Sequence, residues 1–186
     1  MPTGPEGDFV SLVLRRNRGW PWPDDSWGLR PLYGDGGWCQ TCHIPTREQN
    51  GNLVLKRSGL TPTGAWVPNW LFDVLCLAEE LAKEVAARFP VVLRQIDTPK
   101  AGERLPAMQL IVPTTVAHWY DEGELIDQTT RRHGEAGAAC PTCGTWRWLP
   151  LPKSELPRAI SDTSWEGQSA IASPEWFGAG GQSYRQ

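Results

Sequence analysis

The sequence has no run of 18 apolar residues, the shortest length that usually lets a helix cross a bilayer. It therefore predicts no membrane-spanning helix and no membrane partner. Residues 1–8 contain acidic residues, glycine and proline but no lysine or arginine. A secretory signal peptide starts with basic residues, so this stretch does not have the form of one. We expect a cytoplasmic protein.

Motifs that mark the common enzyme classes are also missing. The chain has no Walker A sequence, no dinucleotide fingerprint, no G-x-S-x-G and no H-E-x-x-H. Its three histidines, His43, His118 and His133, are scattered along the chain. A non-enzymatic role is therefore favoured. A formal net charge of −3 argues against a general nucleic-acid binder, because such proteins are usually basic.

The composition that is present is typical of a folded protein. Hydrophobic residues make up 40% of the 186 residues and charged residues 21%. A chain of this length can bury a core without disulfides. The 19 glycines and 17 prolines indicate many turns and short elements.

Four of the five cysteines form two close pairs, Cys39-Gln-Thr-Cys42 and Cys140-Pro-Thr-Cys143. A C-x-x-C turn places two thiolates on one side of a tight loop, and two such knuckles supply the four ligands of a tetrahedral zinc ion. Because four thiolates leave no position for water, the Zn²⁺ would be structural. Redox-active pairs and an iron centre stay open as alternatives. Disulfides would suit a secreted protein better.

The two pairs are separated by 97 residues, whereas small zinc ribbons often separate theirs by about 15–20. A single shared metal would then fasten both ends of a long insertion. The predicted fold class is α+β, with a zinc ribbon formed by two distant knuckles and an inserted helix and β-hairpin region. We expect a domain over 1–149, with the insertion at about 58–134, and a Pro/Gly/Trp-rich extension over 150–186.

Two residues near this pattern have simpler interpretations. His43 directly follows Cys42 and could replace a cysteine ligand, but a position beside the metal or facing solvent is favoured. Cys76 falls inside a predicted helix, far from either pair, and we expect a small semi-buried thiol. In the second knuckle, Gly144 would supply a left-handed turn beneath the metal.

Hydrophobic periodicity predicts a helix over 70–88, with Asn69 as its N-cap, and a second helix over 121–133. Asp121 and Glu124 resemble a capping box, and Gly134 stands at the expected end of that second helix. Ser173 followed by Pro174 has the form of a helix start. Strands are predicted at 9–14, 91–96, 107–112 and 145–149, and a hairpin at 50–56 beside the first knuckle.

Eleven tryptophans are several times the usual number, and six of them cluster in sequence around the knuckles. They can form the core of a loop-rich region, since each buries about 150–250 Å². They can also form a surface for a protein partner, because Trp and Arg dominate interface hot spots. Base stacking on single-stranded nucleic acid is a third interpretation, disfavoured by the charge. The candidate partner-binding residues are Trp20, Trp22, Trp27, Trp146, Arg147 and Trp148.

The two knuckles and their long separation resemble the bacterial double-CXXCG motif family, whose members are often described as immunity proteins against contact-delivered toxins. The resemblance implies metal ligation by Cys39, Cys42, Cys140 and Cys143. It departs from the family pattern at His43, where the first motif should have glycine. The predicted function is a non-enzymatic, zinc-stabilised protein-binding module, such as an immunity or adaptor protein. A nucleic-acid-associated zinc ribbon and an accessory subunit of an enzyme complex are the alternatives.

Overall fold

The computed structural model describes residues 21–56, 63–158, 169–178 and 183–185. The strand predicted at 9–14 and the candidate residue Trp20 lie outside the described residues. The described part is mixed α+β, as predicted from the sequence.

Five strands form the larger sheet, in the spatial order β1-β4-β5-β3-β2. Strands β2 to β5 pair antiparallel, whereas β1 runs parallel to β4. The sheet includes β1, which lies before the insertion predicted at 58–134. The strands are β1 Leu53–Val54, β2 Ala65–Trp66, β3 Leu75–Ala78, β4 Val92–Asp97 and β5 Arg104–Ile111.

Three further strands form a smaller sheet, in the order β6-β7-β8. Strands β6, Gly137–Ala139, and β7, Trp146–Trp148, form an antiparallel hairpin, and β8, Trp176–Phe177, runs parallel to β7. The α-helices are α1 Leu29–Tyr33, α2 Glu79–Arg88 and α3 Glu122–His133, and short 3₁₀ turns lie at Ser26–Gly28 and Lys153–Glu155.

The helix predicted over 70–88 is wrong in its first half. Residues 75–78 form β3, in which Cys76 lies opposite Gln109 of β5, and the helix begins only at Glu79. Trp70 has a φ of 64°, which an α-helix does not accommodate. Cys76 and Leu77 are buried within β3, where they pair with β5. Tertiary pairing therefore overrode the helical periodicity before Glu79.

The second helix matches its prediction closely. The Asp121 carboxylate accepts a hydrogen bond from the Glu124 backbone N–H at 3.0 Å, which caps the first turn. Gly134 ends the helix in a left-handed conformation, with a φ of 86°. The predicted start and end of this helix are therefore confirmed.

Two other local predictions are wrong. The segment after Asn50-Gly51 does not form a hairpin beside the knuckle, because Leu53 and Val54 pair in parallel with Ile96 and Asp97 of β4. Ser173 does not start a helix, since the residues that follow it form strand β8. Both segments found partners far away in sequence, which local turn signals do not reveal.

Apart from a cluster that packs Ala82 of α2 against Leu77 and Leu110 of the sheet, two apolar cores stabilise the described part. The larger packs α1 against the five-stranded sheet, with Leu32, Leu53, Leu55 and Ile96 fully buried. The smaller joins α3 to the three-stranded sheet and is built from Tyr120, Leu125, Trp148, Leu151 and Phe177. The cysteine pairs lie in a separate buried cluster with Ile44.

The described part of the extension over 150–186 packs on this same chain. Strand β8 pairs with β7, and Tyr184 pairs with Phe177. Farther along, the Arg185 guanidinium forms a two-pronged ion pair with Asp73, with its shortest N–O distance at 2.6 Å. None of the helices in the described ranges is long and apolar enough to cross a membrane.

Candidate metal centre

The first cysteine pair lies in a tight turn closed by antiparallel pairing of Trp38 with Pro45. The Cys39 N–H donates to the Ile44 carbonyl at 2.9 Å, and the His43 N–H donates back to the Cys39 carbonyl at 2.8 Å. The chain enters this turn through Gly37, where an added Cβ would lie 2.1 Å from the Tyr33 carbonyl oxygen. Only glycine allows the chain to pass this close to the end of α1.

The second pair lies at the tip of the β6–β7 hairpin and repeats the same hydrogen bonds. The Cys140 N–H donates to the Thr145 carbonyl at 2.9 Å, and the Gly144 N–H donates to the Cys140 carbonyl at 2.9 Å. Gly144 has a φ of 76°, so the predicted left-handed turn is confirmed. His43 occupies the equivalent place in the first pair with a φ of 61°, an unusual conformation for a residue with a Cβ.

The two turns face each other with equivalent residues in contact. Cys39 Sγ lies 3.7 Å from Cys140 Sγ, and Cys42 Sγ lies 3.6 Å from Cys143 Sγ. The hydroxyls of Thr41 and Thr142 are 2.7 Å apart. Each contact joins positions 101 residues apart, so the knuckles approach one another like two copies of one turn.

This geometry matches a tetrahedral metal site. All four sulfurs lie within 4.8 Å of one another and could hold a metal ion. Four sulfurs at about 2.3 Å from a central zinc would be separated by about 3.8 Å, whereas a disulfide needs about 2.05 Å. All the cysteines of the chain are free thiols. The predicted meeting of the two distant pairs is confirmed.

Hydrogen bonds prepare the second knuckle to carry negative charge. Backbone N–H groups of Cys143 and Thr142 lower the pKa of Cys140 to about 6, and hydrogen bonding by Thr145 lowers the pKa of Cys143. In the first knuckle, burial raises the pKa of Cys42 to about 12. Because burial penalises a thiolate that lacks a counter-charge, a cation among the four sulfurs would remove that penalty.

The extension covers this cluster from one side. Trp176 packs against the cysteines, and the Ser183 hydroxyl donates to the Cys42 carbonyl at 3.4 Å. The Arg185 guanidinium lies 4.9 Å from the Trp176 ring centroid. The sequence did not reveal these contacts, because no pattern in residues 176–185 predicts that they pack against the cysteine pairs.

The candidate partner-binding residues differ in exposure. Trp22 is 46% exposed, Trp27 51% and Trp146 43%, whereas Trp148 is buried in the smaller core at 7%. Arg147 is half-buried. Trp148 is therefore a core residue in this structure.

Trp70, 44% exposed, joins the exposed tryptophans although the sequence analysis placed it in a helix. Its ring centroid lies 6.5 Å from that of Trp27, which lies 6.2 Å from that of Trp22. We call these three residues the tryptophan ledge. A left-handed backbone conformation at a residue other than glycine cannot be recognised from the sequence. The exposed position of Trp70 was therefore not predicted.

A cavity of about 310 Å³ opens between the ledge and the first knuckle. It is lined by Trp27, Leu29, His43, Trp70, Leu71, Phe72 and Ser183. Cys76 lies elsewhere, fully buried on β3, where burial raises the pKa of its thiol. The thiol is therefore more deeply buried than the semi-buried thiol expected from the sequence, and it lies on a strand instead of a helix.

Comparisons of the chain with protein-family models, with curated proteins and with solved structures found no match. The resemblance to the double-CXXCG family rests on the two knuckles alone and stays a prediction.

Proposed function

We propose that the four cysteines bind one structural Zn²⁺ in a zinc ribbon whose two knuckles come from opposite ends of the insertion. The sulfur separations of 3.6 and 3.7 Å and the matching hydrogen bonds of the two turns support this proposal. Zinc supplies a closed tetrahedral anchor that leaves no coordination position for a substrate. The site is therefore not catalytic.

The zinc would hold the sheets together by closing a very long loop. Between Cys42 and Cys140 lie 97 residues, and joining the two cysteines removes much of the freedom of the unfolded chain. Metal binding at a site that does not exist in the unfolded state contributes directly to folding. The ion thus takes the place that a disulfide would have in a secreted protein.

We further propose that the protein is a non-enzymatic binding module that recognises another protein. The observation that carries this proposal is the tryptophan ledge, in which the Trp27 ring lies between those of Trp22 and Trp70 and each ring is about half exposed beside the first knuckle. Exposed tryptophans are typical anchors of protein interfaces. An immunity role, which the family resemblance implies, and an adaptor role are two forms that this function could take.

Elemental analysis and native co-purification together test the proposal. We expect one zinc per chain after purification without added metal. A tagged wild-type chain should retain a defined protein from cells of its source organism, and Cys140→Ser should retain less of it because loss of the metal destabilises the fold. Absence of bound metal would overturn the zinc proposal. Retention of single-stranded nucleic acid at low salt, with no protein partner, would support the nucleic-acid alternative.

A further inference from the structure

The strained backbone of this protein is concentrated at one cavity. Five non-glycine residues in the described ranges have a left-handed φ: Asp25 at 48°, Ser26 at 49°, Trp27 at 58°, His43 at 61° and Trp70 at 64°. Three of them line the 310 Å³ cavity beside the ledge, and the other two directly precede Trp27. Such conformations cost free energy and persist where the surroundings enforce them, most often at functional sites.

Two of the strained residues, Trp27 and Trp70, carry large apolar rings that are 51% and 44% exposed to solvent. Gly28 follows the three strained residues with a φ of 82° and approaches Pro23 so closely that a Cβ would lie 2.9 Å from the Pro23 Cβ. The chain then enters α1 and the larger core. Folding thus holds Trp27 and Trp70 half exposed at the mouth of the cavity, where burying them in a partner would be favourable.

The cavity itself has the composition of a binding site. Its walls are the rings of Trp27, Trp70 and Phe72 with two leucines, and its polar groups are the His43 imidazole and the Ser183 hydroxyl. Ligand sites are typically apolar with a few polar groups and measure about 300–1,000 Å³. At 310 Å³ this cavity lies at the lower end, which suits one large side chain.

The ledge continues beyond the cavity, since Trp22 contacts Trp27 but does not line the cavity. A ligand that covers the whole ledge is therefore longer than the cavity. An extended peptide can place one side chain in the cavity and lay its neighbours on the outer rings. A small molecule confined to the cavity would leave Trp22 uncovered.

The charges near the ledge favour a basic ligand. Asp24, Asp25 and Asp35 lie in the segment that carries Trp27, and two cations pair with them. Arg30 lies 3.2 Å from Asp25 and 3.0 Å from Asp35, and Lys56 lies 3.5 Å from Asp24. Among these described residues, the three aspartates outnumber the two cations by one, and indole faces attract cations as well.

We propose that this cavity binds a large apolar side chain of a partner's peptide segment and that lysine or arginine flanks that side chain. The proposal rests on the proposed protein-binding function and names the partner chemistry that the site fits. An aromatic side chain of the peptide would pack against the indole rings that line the cavity. The flanking lysine or arginine would contact the tryptophan ledge and the aspartates around Arg30.

Titration of the zinc-loaded full-length protein with capped tripeptides tests the proposal, with the indole N–H resonances in ¹H–¹⁵N spectra as the readout. The probes are Arg-Trp-Arg, Glu-Trp-Glu and Arg-Ala-Arg. We expect Arg-Trp-Arg to shift the Trp27 and Trp70 resonances, with an affinity about fivefold above that of Glu-Trp-Glu. Arg-Ala-Arg should shift neither resonance, and Trp146 should respond to none of the peptides.

A matched pair of variants controls for folding. Trp70→Gly removes one wall of the cavity and relieves the left-handed strain at the same position, so it should still fold. We expect it to weaken Arg-Trp-Arg binding about tenfold or more. Trp146→Ala removes an equally exposed tryptophan outside the cavity and should bind the peptide as the wild type does.

Other results would overturn the proposal. Equal binding of the acidic and basic peptides would remove its charge component, and oligothymidylate shifting the same resonances would assign the site to nucleic acid. If the wild type and Trp70→Gly retain the same cellular partner equally well, this site is not the docking site. That last result would leave the proposed protein-binding function in place, whereas absence of any partner would contradict the function itself.

Discussion

At the scale of single residues, the two knuckles show how one backbone requirement can be met in different ways. Gly144 and His43 occupy equivalent left-handed positions, at φ values of 76° and 61°. A Cβ at Gly144 would meet nothing within 4 Å, so only backbone strain would oppose a larger residue there. A substitution at Gly144 therefore measures the free-energy cost of the left-handed conformation alone.

We expect Gly144→Ala to lower the free energy of unfolding by about 1–2 kcal/mol, because alanine in the left-handed region clashes with its own backbone. His43→Gly should exceed His43→Ala in stability by a similar amount, since glycine relieves the strain and alanine keeps it. Urea unfolding of the zinc-loaded variants measures both differences. Equal stability of the two His43 variants would show that the first knuckle carries no such strain.

The ionisation of two buried tyrosines is expected to lower the free energy of unfolding at alkaline pH. Burial, together with the nearby charge of Asp73, raises the pKa of Tyr33 to about 12, and burial with the charge of Glu175 does the same for Tyr120. An unfolded tyrosine ionises near pH 10. The unfolded state therefore releases protons first, and stability should be complete below pH 10 and fall between about pH 10 and 12.

Unfolding free energies measured across that range check this prediction. The double variant Tyr33→Phe with Tyr120→Phe should lose part of the alkaline decline, because phenylalanine cannot ionise. A decline of unchanged steepness in the variant would assign the pH dependence to other groups.

At the scale of elements, capping residues were better guides than apolar periodicity. Asp121 and Gly134 correctly marked both ends of α3, because a cap acts through contacts within one turn. The apolar spacing over 70–78 resembled a helix, yet these residues lie in a turn and in β3, paired with β5. Burial can be satisfied by either element, so the pattern alone could not decide between them.

One ion pair fastens the end of the extension to the body of the protein. Arg185 and Asp73 are 19% and 13% exposed, and they make a two-pronged contact. Removing one partner leaves the other charge largely buried, so Arg185→Leu should cost about 2–4 kcal/mol. The exposed pair Lys83–Glu79 is the control, and Lys83→Ala should have no resolvable effect.

Chemical denaturation of both variants measures these costs, and hydrogen exchange around residues 183–185 shows whether the extension is released. The replacement of both charges, Arg185→Leu with Asp73→Leu, should recover part of the loss. A loss no larger than that of the exposed control would mean that the pair does not hold the extension.

At the scale of the whole molecule, the cysteine cluster joins two parts of the protein that lie far apart in the sequence. The first knuckle follows α1 of the larger core, and the second ends the hairpin that belongs to the smaller core. A metal bound between them would couple the two cores. Loss of the metal should therefore weaken both.

Chelation of the bound metal, or Cys140→Ser, should lower stability by about 3 kcal/mol or more, because the closed loop opens and buried thiols lose their counter-charge. For a chain of this size that corresponds to about 10 °C in melting temperature. Thermal melts with and without chelator measure it, and Cys76→Ser at the unrelated buried thiol is the control for metal dependence. An unchanged melting temperature on chelation would contradict the coupling.

The sequence by itself determined the two C-x-x-C pairs, the capped helix α3 and the wealth of tryptophan, because each depends on residue type and short-range spacing. Only the tertiary structure decided that Trp148 is buried while Trp70 is exposed, that residues 75–78 are a strand, and that the extension covers the knuckles. These outcomes depend on contacts between residues far apart in the chain. Such contacts are chosen by competition among many burial partners, and no local pattern records the result.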